Sequence, residues 1–193
     1  KRPIYVPLTV EADNLERYRA QLEPIRKVGL IGVALALFYF AGMAGTRLWE
    51  SWLLYTNATD FGIKDPQFGK DVSFFMFTLP FWQSIVGWFI STLILATIAA
   101  VAVHYVYGGI RPQVRDDRTT VAARVQLSVL LGFIVAAKAV AYWLDRYALA
   151  TSDEGLITGL TYTDVNAVLP AKAILTGIAA LCALLFFAKI IRR

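Results

Sequence analysis

An all-α, polytopic membrane protein with four transmembrane helices is the fold class this sequence predicts, and three observations carry that expectation. Residues 72–110 form a run of 39 residues with no Asp, Glu, Lys or Arg, where about 20 apolar residues suffice to cross about 30 Å of hydrocarbon. The 193-residue chain is 58% hydrophobic and 17% charged, against a usual ~25% charged, and its mean hydropathy is +0.56. One buried helix in a soluble core explains one long apolar segment but not several. The cations also alternate from side to side of the spans, as the positive-inside rule requires.

Residues 1–27 are mixed and charged. Leu15, Tyr18, Leu22 and Ile25 recur at helical spacing among Arg17, Arg19, Arg26 and Lys27, which fits an amphipathic cytoplasmic or interfacial segment interrupted near Pro24. An ordinary solvated helix leading into a span fits equally well. The membrane domain is then 28–191, with spans at about 28–46, 80–107, 121–144 and 170–191.

The first span ends before Arg47 and Glu50, and the helix is expected to continue along the interface to about Leu54, where Trp49, Trp52 and Tyr55 suit the headgroup level. Ala41 and Gly45 make a small-xxx-small pair, a pattern that lets helices approach closely. The segment 47–79 is read as an extracytoplasmic loop rich in turn residues, among them Asp60, Gly62, Asp65-Pro66 and Gly69. Pro80 is expected at the start of the second helix and Gly108-Gly109 at its end. Thr92, Ala96, Ala100 and His104 step by four, so they share a small, faintly polar face suited to meeting other helices. The connection to the third helix carries Arg111, Arg115, Arg118 and Arg124. These are candidate contacts for anionic lipid, and the polar residues among them are candidate caps. The third helix has a small face of Ser128, Gly132 and Ala136, and carries Lys138 within the span. A second extracytoplasmic loop is expected at 145–169, where Thr163-Asp164 is suited to cap a short helix before Pro170. The last span is bracketed by Lys172 and Lys189, both able to snorkel to the interfaces.

Placing the amino-terminal flank in the cytoplasm puts 13 of the 19 Lys and Arg on that side, while the opposite loops hold five of them and eight of the 14 acidic residues. Both termini of the segment are therefore expected to be cytoplasmic. Cys182 is the single cysteine, so no internal disulfide is possible. With one His and one Cys, a usual zinc site is not expected, and no cofactor is expected either. The loop carboxylates fit no EF-hand spacing. No nucleophile–base pair, phosphate loop or redox motif is present, so the chain is not expected to be an enzyme.

Three residues are candidates for function or helix packing: Lys138, Asp145 and His104. A Lys at mid-membrane costs roughly 2.5–3.5 kcal/mol. Lys138 either snorkels outward past Tyr142 or is paired with a carboxylate, Asp145 being the local candidate and an acidic group on a span outside this segment an equal one. Asp145 lies seven residues on, about 10 Å along the axis. His104 is suited to proton relay by its chemistry, but no acidic residue shares its span, which favours a hydrogen-bonded packing role.

Several strings here resemble a known family. Asp60-Phe61-Gly62-Ile63-Lys64-Asp65-Pro66-Gln67-Phe68-Gly69-Lys70-Asp71-Val72-Ser73-Phe74-Phe75 and then Leu79-Pro80-Phe81 are one. Lys138-Ala139-Val140-Ala141-Tyr142-Trp143-Leu144-Asp145-Arg146-Tyr147, with Thr161-Tyr162-Thr163-Asp164-Val165-Asn166, is the other. Over essentially the whole chain they resemble uncharacterised protein family 0182, large multi-pass membrane proteins of actinobacteria and cyanobacteria. The resemblance implies further spans on either side and a large extracytoplasmic region outside this segment. It implies no activity, cofactor or catalytic residue. The functions compatible with this are a membrane-embedded scaffold or subunit of a cell-envelope complex, or alternatively a transporter or channel module with Lys138 in or near the pathway. The expected partners are membrane lipids, the remaining spans and extracytoplasmic region of the parent protein, and other subunits of a membrane complex. No nucleic acid is expected.

This topology is tested by cysteine labelling. Gln67→Cys and Ala150→Cys should react from outside intact cells, and Thr119→Cys only after permeabilisation. Reaction of Thr119→Cys in sealed cells would refute the four-span arrangement.

Overall fold

The computed structural model describes residues 26–111, 118–153 and 159–191. The expected amphipathic segment at 1–27 lies almost wholly outside them, as does Arg115. Among the described residues four long helices follow one another: α1 (Arg26–Thr56), α2 (Leu79–Val106), α3 (Val121–Ala148) and α4 (Leu169–Ile191). Three helical stretches are long and apolar enough to cross a membrane: Phe74–Val106, Val121–Thr151 and Asp164–Lys189. The first helix makes a fourth span if its two arms are taken together, since Ile31–Met43 and Leu48–Thr56 meet at a bend of 44°. At that bend the Thr46 hydroxyl donates to the Met43 carbonyl at 2.7 Å, a side-chain intrusion into the backbone ladder of the kind that bends helices.

α1 follows the expected extension along the interface, and α3 outruns the boundary expected from charge. α1 continues to Thr56 and α3 to Ala148, past Glu50 and Asp145, because a charged side chain at an interface does not interrupt the backbone ladder. Before α2 and α4 the helix begins earlier than the prolines, in two five-residue π turns, Phe74–Thr78 and Asp164–Val168. Leu79 N–H donates back to the Phe74 carbonyl and Leu169 N–H to that of Asp164. Pro80 and Pro170 follow at once. A proline ring clashes with the carbonyl four residues before it and leaves that carbonyl without a donor. The widened turn gives Met76 and Asn166 the space to move aside.

The two hairpins thus share a plan. Each is a helix, a loop, a hydroxyl residue (Ser73 or Thr163), a π turn, Leu-Pro and a second helix. The Leu-Pro pairs stand ninety residues apart.

The loop after α1 is braced by its own carboxylates. Asp71 accepts the N–H groups of Phe61, Gly62 and Ser73 at 3.1, 2.9 and 2.9 Å. Asp65 accepts those of Gln67 and Phe68 at 3.0 and 2.7 Å. Asp60 accepts the Ser73 hydroxyl at 3.2 Å. Gly69 turns the chain at φ 64°, a conformation that glycine adopts without steric cost. At the other end of α2, Gly108 at φ 69° ends the helix as expected, and the Gly109 and Ile110 N–H groups close back on the His104 carbonyl.

Neighbouring helices pack in sequence order. Trp88 on α2 donates its indole N–H to the Ala41 carbonyl of α1 at 3.1 Å. Ala41 therefore meets α2, whereas among the described residues nothing stands within 4 Å of a Cβ placed on Gly45. The α2 face expected to meet a helix does so, with Ala100 buried and His104 reaching Gln126 on α3. Between α3 and α4 the approach is close. A Cβ on Gly132 would stand 3.1 Å from the Phe187 ring and 3.3 Å from Phe186 Cβ.

Two expectations follow. Gly132→Leu and Ala100→Leu should each lower the melting temperature in detergent, by an overpacking cost of about 1–3 kcal/mol, while Gly45→Leu should leave it unchanged. The N–H groups of Ser73 and Phe61, with that of Gly62, hold the Asp71 carboxyl below the usual carboxylate range. A depressed folded-state value stabilises the loop above the unfolded value, and the effect is lost as pH falls through the folded one. Hydrogen exchange at Phe61 and Gly62 should accelerate relative to the helices on acidification, and Asp71→Asn should show that acceleration already at neutral pH.

Candidate functional site

Functional chemistry in an apolar bundle is expected where charged and aromatic side chains converge. In this fold that is the end carrying the two loops. α1 and α3 arrive there, and α2 and α4 depart from it through their π turns. Asp145 lies in the last turn of α3 and Lys172 in the first turn of α4, at opposite edges of one loop, so antiparallel packing brings them level. Lys172 Nζ stands 3.9 Å from Asp145 Oδ2 and donates to the Asp145 backbone carbonyl at 3.3 Å. Gln83 Nε2 on α2 is 3.5 Å from Asp145 Oδ1. One carboxylate thus touches side chains from both neighbouring helices. The distances are long and the side chains of Lys172 and Asp145 remain 25% and 40% exposed, so the contact fixes position more than it adds stability.

In the first hairpin, ninety residues earlier, Tyr55 and Trp82 take the places of Asp145 and Lys172. Their rings lie 6.5 Å apart, and Tyr55 also stacks on buried Phe81 at 4.6 Å. Other aromatic residues tie the loop to α3: Tyr147 meets Phe68 at 5.0 Å and Phe74 at 5.4 Å. Arg146 lies over the Trp143 ring at 4.5 Å. The segment 60–75 and the segment 138–147, far apart in sequence, therefore pack together.

Lys138 does not reach Asp145. Two helical turns, about 10 Å, separate them along α3, and Asp145 is engaged by Lys172 instead. Lys138 is exposed, and its ammonium lies 5.5 Å from the centroid of the Tyr142 ring, one turn nearer the loop end. His104 Nε2 and Gln126 Oε1 are 3.0 Å apart, an interhelical hydrogen bond at the opposite end of the bundle. Its ring also lies against Gly109, where a Cβ would stand 2.7 Å from Nδ1.

Sequence reasoning did not single out Gln83 or pair Lys172 with Asp145. The available signal was that Asp145 and Lys172 flank the same loop, and that Gln83 is the one carboxamide in the uncharged run.

Of the connection's arginines, Arg111 and Arg118 belong to a short hairpin around the Ile110–Thr119 bridge. Arg124 lies in the first turn of α3, which the Thr120 hydroxyl caps by accepting the Ala123 N–H at 3.3 Å. The expected braces before α4 are realised differently: Asp164 accepts the Thr161 N–H and hydroxyl at 2.9 and 2.7 Å. Among the described residues, no three His, Cys, Asp or Glu side chains converge as metal ligands would.

No solved structure matches this chain. It is 50% identical to a UPF0182 protein of a Nocardioides species, covering 100% of this chain and 19% of that one. It is 49% identical to a UPF0182 protein of Thermobifida fusca, over 98% and 19% respectively. A UPF0182 protein of Streptomyces coelicolor is 46% identical, over 100% and 20%. The chain spans about one fifth of the length of these curated relatives. The family model for the Uncharacterised protein family (UPF0182) matches residues 1–193, and the chain belongs to that family.

Proposed function

We propose that this segment is a membrane-embedded scaffold, part of a cell-envelope complex in the bacterial plasma membrane, with both ends of the segment cytoplasmic. The observation that supports it best is how the polar groups of the spans are used. The hydroxyls of Ser91, Thr92, Thr97 and Thr176 donate to carbonyls four residues earlier in their own helices. His104 bonds Gln126 across α2 and α3. The Lys172–Asp145 contact joins helices at the loop end. The hydroxyls are satisfied within their own helices, and the His104–Gln126 and Lys172–Asp145 contacts hold neighbouring helices in register. A conduction path needs polar groups that face one another along the bundle and remain open to a cargo. The reading assigns no reaction to the chain, and takes lipids, the remaining spans of the parent protein and other complex subunits as its partners.

The test uses the full-length parent in proteoliposomes. Lys138→Met removes an ammonium from the span and keeps an unbranched stem, so it should leave the melting temperature unchanged or raised, with no change in proton- or ion-linked flux. Lys172→Met and Asp145→Asn should each lower stability by about 1 kcal/mol or less, and the double variant by little more than either alone. Loss of a flux in Lys138→Met at an unchanged melting temperature would favour the transporter alternative and overturn the scaffold.

A further inference from the structure

The turn end of the bundle holds a cationic arrangement that the scaffold reading does not use. The chain leaves α2 at Gly108 and doubles back before α3. Arg111 N–H donates to the Arg118 carbonyl, and Thr120 N–H to that of Gly109, at 2.6 and 2.8 Å. With Ile110 and Thr119 bridged, the next pair across the ribbon is Arg111 and Arg118. Directly opposed residues project to the same side, and like charges so placed repel. Arg124 joins them from α3, its Nη2 donating to the Thr119 carbonyl at 3.1 Å.

Two of these guanidinium groups are also short of acceptors. The Nε–H groups of Arg111 and Arg124 are shielded from solvent and have no hydrogen-bond partner among the described residues. Among the described residues no carboxylate meets Arg111, Arg118 or Arg124. A buried donor without an acceptor costs about 1–3 kcal/mol, and more when charged. Two opposed cations add to that cost, so a fold that keeps all three gains from an anion between them. Guanidinium forks match the oxygens of a phosphate group, which accepts two parallel N–H bonds from each fork.

We propose that Arg111, Arg118 and Arg124 form a binding site for a phosphate-type anion at the turn end of the α2–α3 hairpin. The site lies where an uncharged span meets a polar turn, the depth at which phospholipid headgroup phosphates sit. A free phosphate offers the same chemistry, and the test separates the two sources.

The full-length parent is placed in nanodiscs of phosphatidylcholine alone, or of equimolar phosphatidylcholine and phosphatidylglycerol. Thermal unfolding is followed in each, and in phosphatidylcholine discs with added inorganic phosphate. Lipid retained after gentle delipidation is counted by native mass spectrometry. The wild type should melt higher with phosphatidylglycerol and retain it, and Arg118→Gln, an exposed substitution that leaves the hairpin intact, should weaken that retention about fivefold. Arg111→Lys keeps the charge and loses the fork, and should weaken it as well. Lys64→Gln, in the distant loop, should behave as wild type. A response to inorganic phosphate alone, lost in the same variants, would also establish the site, with a free anion as its ligand. An unchanged wild type under both additions, the outcome expected if Asp116 and Asp117 were the counter-charges, overturns the proposal. So does a response that Arg118→Gln and Arg111→Lys both retain.

Discussion

Hydrocarbon offers no hydrogen bonds, so every backbone polar group that enters it must be satisfied by the chain itself. The rest of this structure follows from that constraint. It makes the long segments helical, and it turns serine and threonine hydroxyls back onto their own carbonyls. It also governs the prolines. Pro80 and Pro170 sit beside helices that must stay closed, and each is preceded by a π turn whose i−5 bond keeps the ladder continuous around the missing donor. Asp65 and Asp71 of the loop between α1 and α2 answer the same demand at the boundary, accepting N–H groups that a tight loop cannot pair internally.

Within that frame the two hairpins reach the same geometry by different chemistry. Where the first places Tyr55, Phe81 and Trp82 in ring contact, the second places Asp145 beside Lys172. Both fix the level at which a helix arrives against the level at which its partner departs. The aromatic set does so by area and shape, and it lies where amphipathic rings are stable. The charged set does so by direction, and it recruits Gln83 from the other hairpin. Tyr147 completes the cap by carrying the loop's Phe68 and Phe74. The segments by which the family is recognised meet at this end, so their shared pattern reflects one packed unit rather than separate motifs.

Helix number, order and approximate extent were legible in the sequence by itself, because hydrocarbon solvation acts on composition, and composition is local. The stop at Gly108-Gly109 was legible for a similar reason: a positive φ is a property of one residue. The exact start of α2 was not, since proline alone predicts a helix beginning there; before α4 a short helix was expected, but not that a widened turn would join it to the span through Pro170. Nor was the choice among small residues. Ala41–Gly45 and Gly132 look alike as patterns, but among the described residues nothing stands within 4 Å of a Cβ placed on Gly45, while Phe186 and Phe187 close over Gly132. Asp145 was visible as a candidate beside Lys138 on its own helix. Only the tertiary structure gave it to Lys172, because packing brings the start of α4 level with the end of α3, whereas Lys138 is held two turns away by the rise of the helix they share.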